Sequence, residues 1–525
     1  MSKTSSKNIS FLSAFFTVSS LTLLSRIAGF LRDILTAAFL GAGPIADAFF
    51  VALKLPNFFR RVTAEGAFIY AFIPLYTKAK TVEGEEIAQK FKDEAFTTLL
   101  VTLLPFTIVA IVFMPYVIQG LAPGFEIDGE RFSLAVDLSR ITFSYLACMS
   151  IVAMIGGVLN AHNRFMPFAA TPIFFNLTLI AALIGFDEIL PNAGYSLSYG
   201  VLIAGFVQLI WIFYHYFNLG FRIKLVWTFW TSRIKRLLKL MGPAVLSAGV
   251  TQVNLFVDIL LASILPVGAV SYLYYADRLN QLPLGVVGIA IGTALLPMLS
   301  KALNEKDETA ATTLFMQSLK AGAAFSIPAA VAFVILPEIL IATLFERGSF
   351  GEQEREMTAL ALQAYSIGLP AYIAIKVYNT VCFSSEDTKT PLIISLIVTG
   401  LNIAMSLAFI FISDLGHVGI ALATGITGWI HVLMLHVILQ KRKLINWGKK
   451  ITYSLVKIVL SSLLMGAALL FVMRYLTIEL IDVSEFNRIF DLITLILSGV
   501  IVYGGALLLT KAFTLKDLRN LKPKV

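Results

Sequence analysis

Apolar stretches long enough to cross a bilayer recur about fourteen times along this chain. They fall at roughly 10–38, 45–76, 94–120, 136–160, 166–186, 196–219, 238–264, 268–300, 312–343, 358–384, 390–413, 417–440, 452–476 and 488–511. The polar connectors between them alternate in character. One set is basic or mixed: Lys3/Lys7, Lys78 to Lys92, Arg164, Arg222 to Lys239, Lys301/Lys306, Lys389, Lys441 to Lys450 and Lys511 to Lys524. The other is uncharged or mostly acidic: 41–44, 121–131, Asp187/Glu188, 265–267, 346–356, Asp414 and Glu479 to Glu485. Because basic connectors stay on the cytoplasmic side, strict alternation predicts an even number of spans with both termini cytoplasmic.

The pattern also repeats. Asp33-Ile-Leu matches Asp258-Ile-Leu, Ala52-Leu-Lys54-Leu matches Ala276-Asp-Arg278-Leu, and Pro74-Leu-Tyr-Thr-Lys78 matches Pro297-Met-Leu-Ser-Lys301. Further on, Arg164-Phe-Met-Pro167 matches Thr388-Lys-Thr-Pro391, with Asn176 and Asn402 downstream, and the interval between copies stays nearly constant throughout. Each copy holds about six helices, an even number, so the copies share an orientation. That is the parallel-repeat plan of rocking transporters, which place the substrate site between halves near the midplane. The expected division is an N-lobe over 1–220, a cytoplasmic interfacial linker over 221–240, a C-lobe over 241–441, and two further helices with a basic tail over 442–525. The last two helices have no counterpart in the repeat. They extend the lipid-facing surface or line a groove for a hydrophobic tail.

Charge breaks the apolar pattern at few places. Ser25, Arg26, Arg32 and Asp33 lie in the first segment, with Arg26 and Asp33 on one helix stripe and Ser25 and Arg32 about 100° round from it. A charged residue at mid-membrane costs about 2.5–3.5 kcal/mol on insertion scales, so such residues face a protein interior or a watery cavity. The second segment carries Asp47, Lys54, Arg60 and Arg61 around Pro56, and Glu65 stands i+4 from Arg61 as a candidate partner. In the second half, Ser271, Tyr274, Arg278 and Gln281 share one helix face, with Asp277 beside Arg278. Asp258 stands mid-segment with no basic neighbour in sequence. Asn402 is a candidate co-ligand, and Lys376 is an interior charge or one that snorkels to the surface.

Composition adds the class. The chain has 525 residues, is 58% hydrophobic and only 14% charged, and its mean hydropathy is +0.83. Soluble domains are about 25% charged, so an all-α polytopic membrane protein is expected. The net charge of +9 is then a topology signal rather than a sign of nucleic-acid binding. Arg222 to Lys239, mixed with Trp227 and Trp230, suit an interfacial segment. Cys148 and Cys382 lie in or at the ends of apolar segments without metal-ligand spacing. The first segment reads as a retained helix, not a cleaved signal.

The candidate cavity cations are Arg26, Arg32, Arg60 and Arg278, with Lys54. They outnumber the nearby acids unless Asp33, Asp47 and Glu65 neutralise them. Arginine binds phosphate bidentately and keeps its charge when desolvated, which favours an anionic, phosphorylated substrate. No Walker-type phosphate loop occurs, so the energy source is an ion gradient, the membrane potential or the substrate's own gradient. A non-enzymatic transporter is expected, without cofactor, with Na+ or H+ as candidate coupling ion at Asp258 and Asn402.

These residues resemble a known family. Ser25-Arg26-Ile-Ala-Gly29-Phe30-Leu-Arg32-Asp33, Gly41-Ala-Gly, Asp47-Ala-Phe-Phe50, Lys54-Leu-Pro56-Asn57, Arg60-Arg61, Ala64-Glu65-Gly66-Ala67-Phe68 and Phe72-Ile-Pro74 are similar to the MurJ (MviN) family. So are Tyr274-Tyr-Ala-Asp277-Arg278-Leu279, Pro283-Leu-Gly285 and Pro297-Met-Leu-Ser300. The resemblance implies fourteen helices, in two six-helix lobes of the exporter superfamily that includes MATE transporters, plus two helices forming a groove for a lipid tail. It implies flipping of lipid II, the undecaprenyl-pyrophosphate-linked peptidoglycan precursor, in the bacterial inner membrane. Arg26, Arg32, Arg60, Arg278, Asp47, Ser25 and Ser271 match cavity positions that hold the pyrophosphate and sugar headgroup. Some relatives carry a glutamate where Gln281 stands, and some place sodium near the seventh and eleventh helices. Cell-wall synthesis proteins are candidate partners. The competing expectations are a flippase for another lipid-linked oligosaccharide, a cation-coupled MATE-type exporter in which carboxylates dominate the cavity, and a non-transporting scaffold.

Overall fold

A computed structural model describes residues 2–62, 68–290, 295–305, 307–475 and 485–512. Glu65, expected to face Arg61, lies outside the described residues. All secondary structure among the described residues is helical, and the chain forms two compact units, Met1–Ser271 and Tyr272–Val525.

The first unit runs through α1 (Ser2–Leu40), α2 (Pro44–Phe59), α3 (Ile69–Lys78), a π-helical turn (Ala79–Glu83), α4 (Glu85–Val112), α5 (Met114–Leu121), α6 (Glu130–Phe143), α7 (Tyr145–Ala161), α8 (Met166–Phe186), α9 (Ala193–Asn218) and α10 (Ser232–Ser263). Helix α11 (Ala269–Ala290) begins at its end. The second unit continues with α12 (Leu296–Asn304), α13 (Glu308–Ile335), α14 (Pro337–Phe345), α15 (Glu352–Ser384), α16 (Lys389–Phe411), α17 (Gly416–Lys441), α18 (Lys449–Tyr475) and α19 (Glu485–Leu509).

Among the described residues, ten helical segments are long and apolar enough to cross a membrane. The chain is therefore a multi-pass membrane protein. The sequence-based figure of about fourteen also takes in α1, α2–α3, α10 and α11–α12, which are not among the ten. Those are the segments that hold the charged candidates, the first two of each repeat. The apolar helices turn large side chains outward: Ile108 and Val112 on α4, Leu463 and Leu464 on α18, Val500 and Ile501 on α19. A bilayer is the solvent that tolerates such surfaces.

The repeat is visible inside each unit taken separately. In the first, α3 and α4 pack on α7, α7 on α9, and α8 on α9; in the second, α12 and α13 pack on α15, α15 on α17, and α16 on α17. The corners coincide too. Asn163 and Glu386, one repeat interval apart, both turn left-handed (φ 60° and 58°). Gly220 and Lys443, separated by the same interval, do likewise at φ 79° and 59°. Close helix approach recurs at matching places. A Cβ on Gly205 would stand 2.9 Å from Cys148 Cβ, and one on Gly428 would stand 2.9 Å from the Tyr372 ring. Helices α18 and α19 have no such counterpart. They pack on α13 and α14 through Met465, Leu469, Leu492 and Leu495 against Leu336 and Ile339. Polar ties hold α19 as well: Arg488 lies 3.6 Å from Glu346, which also receives Arg355 at 3.1 Å.

Candidate functional site

Helix α1 is read best from the helix it leans on. Gly29 faces α8, where a Cβ would stand in ordinary contact 3.4 Å from Asn176 Nδ2. The buried Asn176 amide donates to the Ser25 carbonyl (3.0 Å) and accepts from Arg32 Nη1 (2.9 Å). The other edge of the Arg32 guanidinium donates to Asp33 Oδ1 from Nη2 (2.6 Å) and Nε (3.2 Å), and its centre lies 5.9 Å from the Phe175 ring. Arg32 and Asp33 thus balance each other locally. Arg26 differs: it is exposed, and among the described residues no hydrogen bond or ion pair holds it.

In α2, Pro56 lacks the N–H that would reach the Ala52 carbonyl. The Thr142 hydroxyl of α6 donates to that oxygen instead (2.9 Å), so the proline costs the packed face no hydrogen bond. Asn57, next in line, donates to the Leu53 carbonyl and accepts from Arg60 Nε (3.3 Å). Over 60–62 the helix widens into a π turn, a distortion found often at functional positions. Lys54 and Arg60 are both half-buried, and Arg61 is exposed.

Asp47 is fully buried, and its oxygens are taken. They accept from the Gly268 N–H (2.8 Å), the Ser271 N–H (3.0 Å) and the Ser271 hydroxyl (2.6 Å), with Arg131 Nη1 at 3.7 Å. The carboxylate therefore serves as the anionic cap of α11, whose first N–H groups have no partner within the helix. Asp47 and Ser271 come together, as a tie between helices rather than as walls of an open space.

Asp258 of α10 is half-buried and accepts from Asn254 Nδ2 (3.4 Å). In the second unit, Arg278 lies 4.8 Å above the Tyr274 ring and 3.7 Å from Asp277, and Gln281 donates to the same Asp277 oxygen. Gln281 thus holds the acid beside the arginine, a task an acidic side chain there could not perform. Lys376 is exposed and donates to the Leu284 carbonyl. Asn402 of α16 is buried; its amide donates to the Thr424 (3.1 Å) and Thr427 (3.3 Å) hydroxyls of α17, while its Oδ1 has no hydrogen-bond partner. One turn along, the buried Ser406 hydroxyl also lacks one.

Three residues carry parts that sequence reasoning did not give them: Asn176, Thr142 and Arg131. Asn176 had a signal, as a lone amide in an apolar helix whose repeat counterpart carries Asn402. Arg131 and Thr142 lie far from their partners in the chain, and only packing reveals them.

Comparison with known proteins converges. The family model described as lipid II flippase MurJ matches residues 36–490. A probable lipid II flippase MurJ of Rhizobium meliloti is 40% identical over 94% of this chain and 93% of its own length. The lipid II flippase MurJ of Burkholderia cenocepacia is 34% identical over 82% of this chain and 84% of its own. Among solved structures, a lipid II flippase MurJ in an inward closed conformation superposes with a TM-score of 0.79 at 29% identity, covering 96% of this chain and 99% of that one. An inward-facing MATE-family multidrug transporter shares the fold, with a TM-score of 0.67 at 16% identity over 82% of this chain and 98% of that one.

Proposed function

The chain belongs to the lipid II flippase MurJ family, and from that premise we propose that it carries lipid II from the cytoplasmic to the outer leaflet by alternating access. The observation that supports this most is the arc on α1, where Arg26 is open and Arg32 is held by Asp33 and Asn176. A guanidinium held by Asn176 at Nη1 and by Asp33 at Nη2 and Nε keeps its orientation, so an arriving pyrophosphate meets a fixed group and the ordering cost falls at binding. Arg26, Arg60 and Arg278, with Lys54, supply the remaining positive charge, and Ser25 lies on the same arc. Asp47 and Ser271 act by holding the start of α11. The arginines drive the motion only by binding one conformation better than the other. No covalent bond forms or breaks in this cycle.

A cation-coupled drug exporter would have carboxylates dominate the cavity, whereas Asp33 and Asp47 are buried and already accept from Arg32 and Ser271. For reset we propose a monovalent cation, Na+ or H+, with Asp258 and Asn402 as the coupling positions. The unpartnered Oδ1 of Asn402, beside two threonine hydroxyls, is the hard oxygen chemistry an alkali cation accepts. The alternating connector charge supports a cytoplasmic position for both termini.

Vesicles carrying fluorescent lipid II test the reading directly. Leaflet exchange should be rapid with the wild-type chain and at least tenfold slower with Arg26→Ala. Equal rates in the two would remove the arginine mechanism.

A further inference from the structure

Between α9 and α10 the chain does not loop freely. Residues 221–231 form a strap laid along the first turns of α4, tied at four points to side chains that point up from that helix. Lys92 Nζ donates to the Arg222 carbonyl (2.6 Å), and Asp93 accepts from the Lys224 N–H (3.2 Å). Thr97 Oγ1 accepts from the Val226 N–H (3.1 Å), and Glu94 accepts from the Thr231 hydroxyl (2.8 Å). Lys92, Asp93, Glu94 and Thr97 are all buried beneath it. A strap fixed this firmly nonetheless turns its largest apolar side chains away from the protein: Trp227 is 97% exposed, Leu225 69% and Trp230 59%.

The height of the strap on α4 explains them. Val226 is bonded to Thr97, and the outward apolar surface of α4 begins at Val101, one helical turn further on. At about 1.5 Å per residue that is roughly 6 Å. Trp227 therefore stands at the rim of the lipid-facing belt, the level at which tryptophan settles in membranes. Where the strap enters α10, a pocket of about 70 Å³ opens between the end of α3, the π turn and α10, with Leu75 and Phe91 as its apolar lining and Lys78, Arg233 and Arg236 at its polar side. Glu83, paired with Arg233 at 2.8 Å, offsets one of those charges. Lys78 and Arg236 are exposed and, among the described residues, no ion pair occupies them.

We propose that strap and pocket form a binding site for an anionic phospholipid of the surrounding membrane, with Lys78, Arg233 and Arg236 on the headgroup phosphate and Trp227 and Trp230 among the glycerol and upper acyl groups. The proposal rests on the reading that α4 and its neighbours span the bilayer. Each basic residue near an anionic surface enriches the lipid by about fivefold. Four ties to buried side chains would keep the site's shape while the helices beneath it move.

The test uses the full chain in nanodiscs of phosphatidylcholine containing a fixed minor share of lipid brominated high on the acyl chain, either phosphatidylglycerol or phosphatidylcholine. Subtracting a Trp227→Phe/Trp230→Phe variant isolates the strap's fluorescence. Brominated phosphatidylglycerol should quench that signal more strongly than brominated phosphatidylcholine. Lys78→Gln/Arg236→Gln should abolish the excess, and Lys78→Arg should retain it. Equal quenching by the two lipids would overturn the proposal. So would loss of the excess on adding inorganic phosphate at constant ionic strength, which would assign the pocket to a soluble anion. If the signal of the Trp227→Phe/Trp230→Phe variant, which keeps Trp211, Trp429 and Trp447, is quenched while the strap is not, the strap lies in water and the proposal alone fails. If that signal is not quenched by either lipid, the membrane-spanning reading fails with it.

Discussion

Asn176 and Asn402 lie on corresponding helices of the two repeats, α8 and α16, and they do opposite work. Asn176 uses both ends of its amide, one on the Ser25 carbonyl and one on the Arg32 guanidinium. Asn402 uses only its NH2, on two threonines, and leaves its oxygen without a partner. The acids differ in the same sense. Asp33 follows Arg32 and pairs with it, whereas its counterpart Asp258 follows Val257. One half thus carries a cation in its own chain, and the other keeps polar oxygen where no arginine precedes the acid. Duplication supplied one scaffold, and the residue at position 32 or 257 decides whether the acid that follows has a cation beside it in the chain.

Removing Arg32 should have the largest effect. Arg32→Ala removes the cation beside buried Asp33, and losing one member of a buried pair costs about 3–5 kcal/mol. The melting temperature in detergent should fall and lipid II flipping should stop. Arg32→Val/Asp33→Asn removes both charges together, with the valine that stands at position 257. It should recover most of the melting temperature without recovering transport. If the double variant flips lipid II normally, Arg32 is only a structural counter-ion.

Asn176→Leu comes next. It removes one neutral hydrogen bond and one to a charged group, the latter worth about 1.5–3 kcal/mol. Flipping should slow by about tenfold in vesicles while Arg26 stays in place. Asn176→Asp keeps the acceptor for Arg32 but loses the donor to Ser25, so it should stay close to the wild-type melting temperature. The same change in the other half, Asn402→Leu, should cost less stability, because Thr424 and Thr427 already donate to carbonyls of their own helix. Its signature is different in kind: any change in flipping rate between sodium and choline buffers should vanish. A variant that keeps the sodium response would move the coupling position away from Asn402.

The sequence made the helical class, the apolar spans and the repeat legible, because each is written in local periodicity and spacing. The charged residues of α1 and α2 were equally plain, since lipid makes every buried charge conspicuous. What each charge does was not. That Asp47 caps α11 depends on partners, Gly268 and Ser271, that lie far along the chain and reach it only on folding. That Arg32 is divided between Asp33 and Asn176 depends on how α8 packs on α1. Pairing of this kind is settled by packing, and residue spacing along one helix says only which groups could face the same way.

The smallest effect tests the repeat at its corners. Asn163 and Glu386 hold the same left-handed backbone at φ 60° and 58°. In each case the residue that follows is tied back across the turn: Arg164 N–H to the Leu159 carbonyl, and Asp387 N–H to the Cys382 carbonyl. A left-handed conformation costs an ordinary L-residue about 1–2 kcal/mol, while asparagine bears it more easily through local hydrogen bonding. Glycine at such a site escapes the clash but loses more freedom on folding. Glu386→Gly should therefore stabilise the second unit by about 0.5–1 kcal/mol, and Asn163→Gly should change the first by only a few tenths. Thermal melting of the two variants side by side reads the difference. An equal gain at both corners would mean that the glutamate bears no more strain than the asparagine, and that the two corners are equivalent in energy as well as in shape.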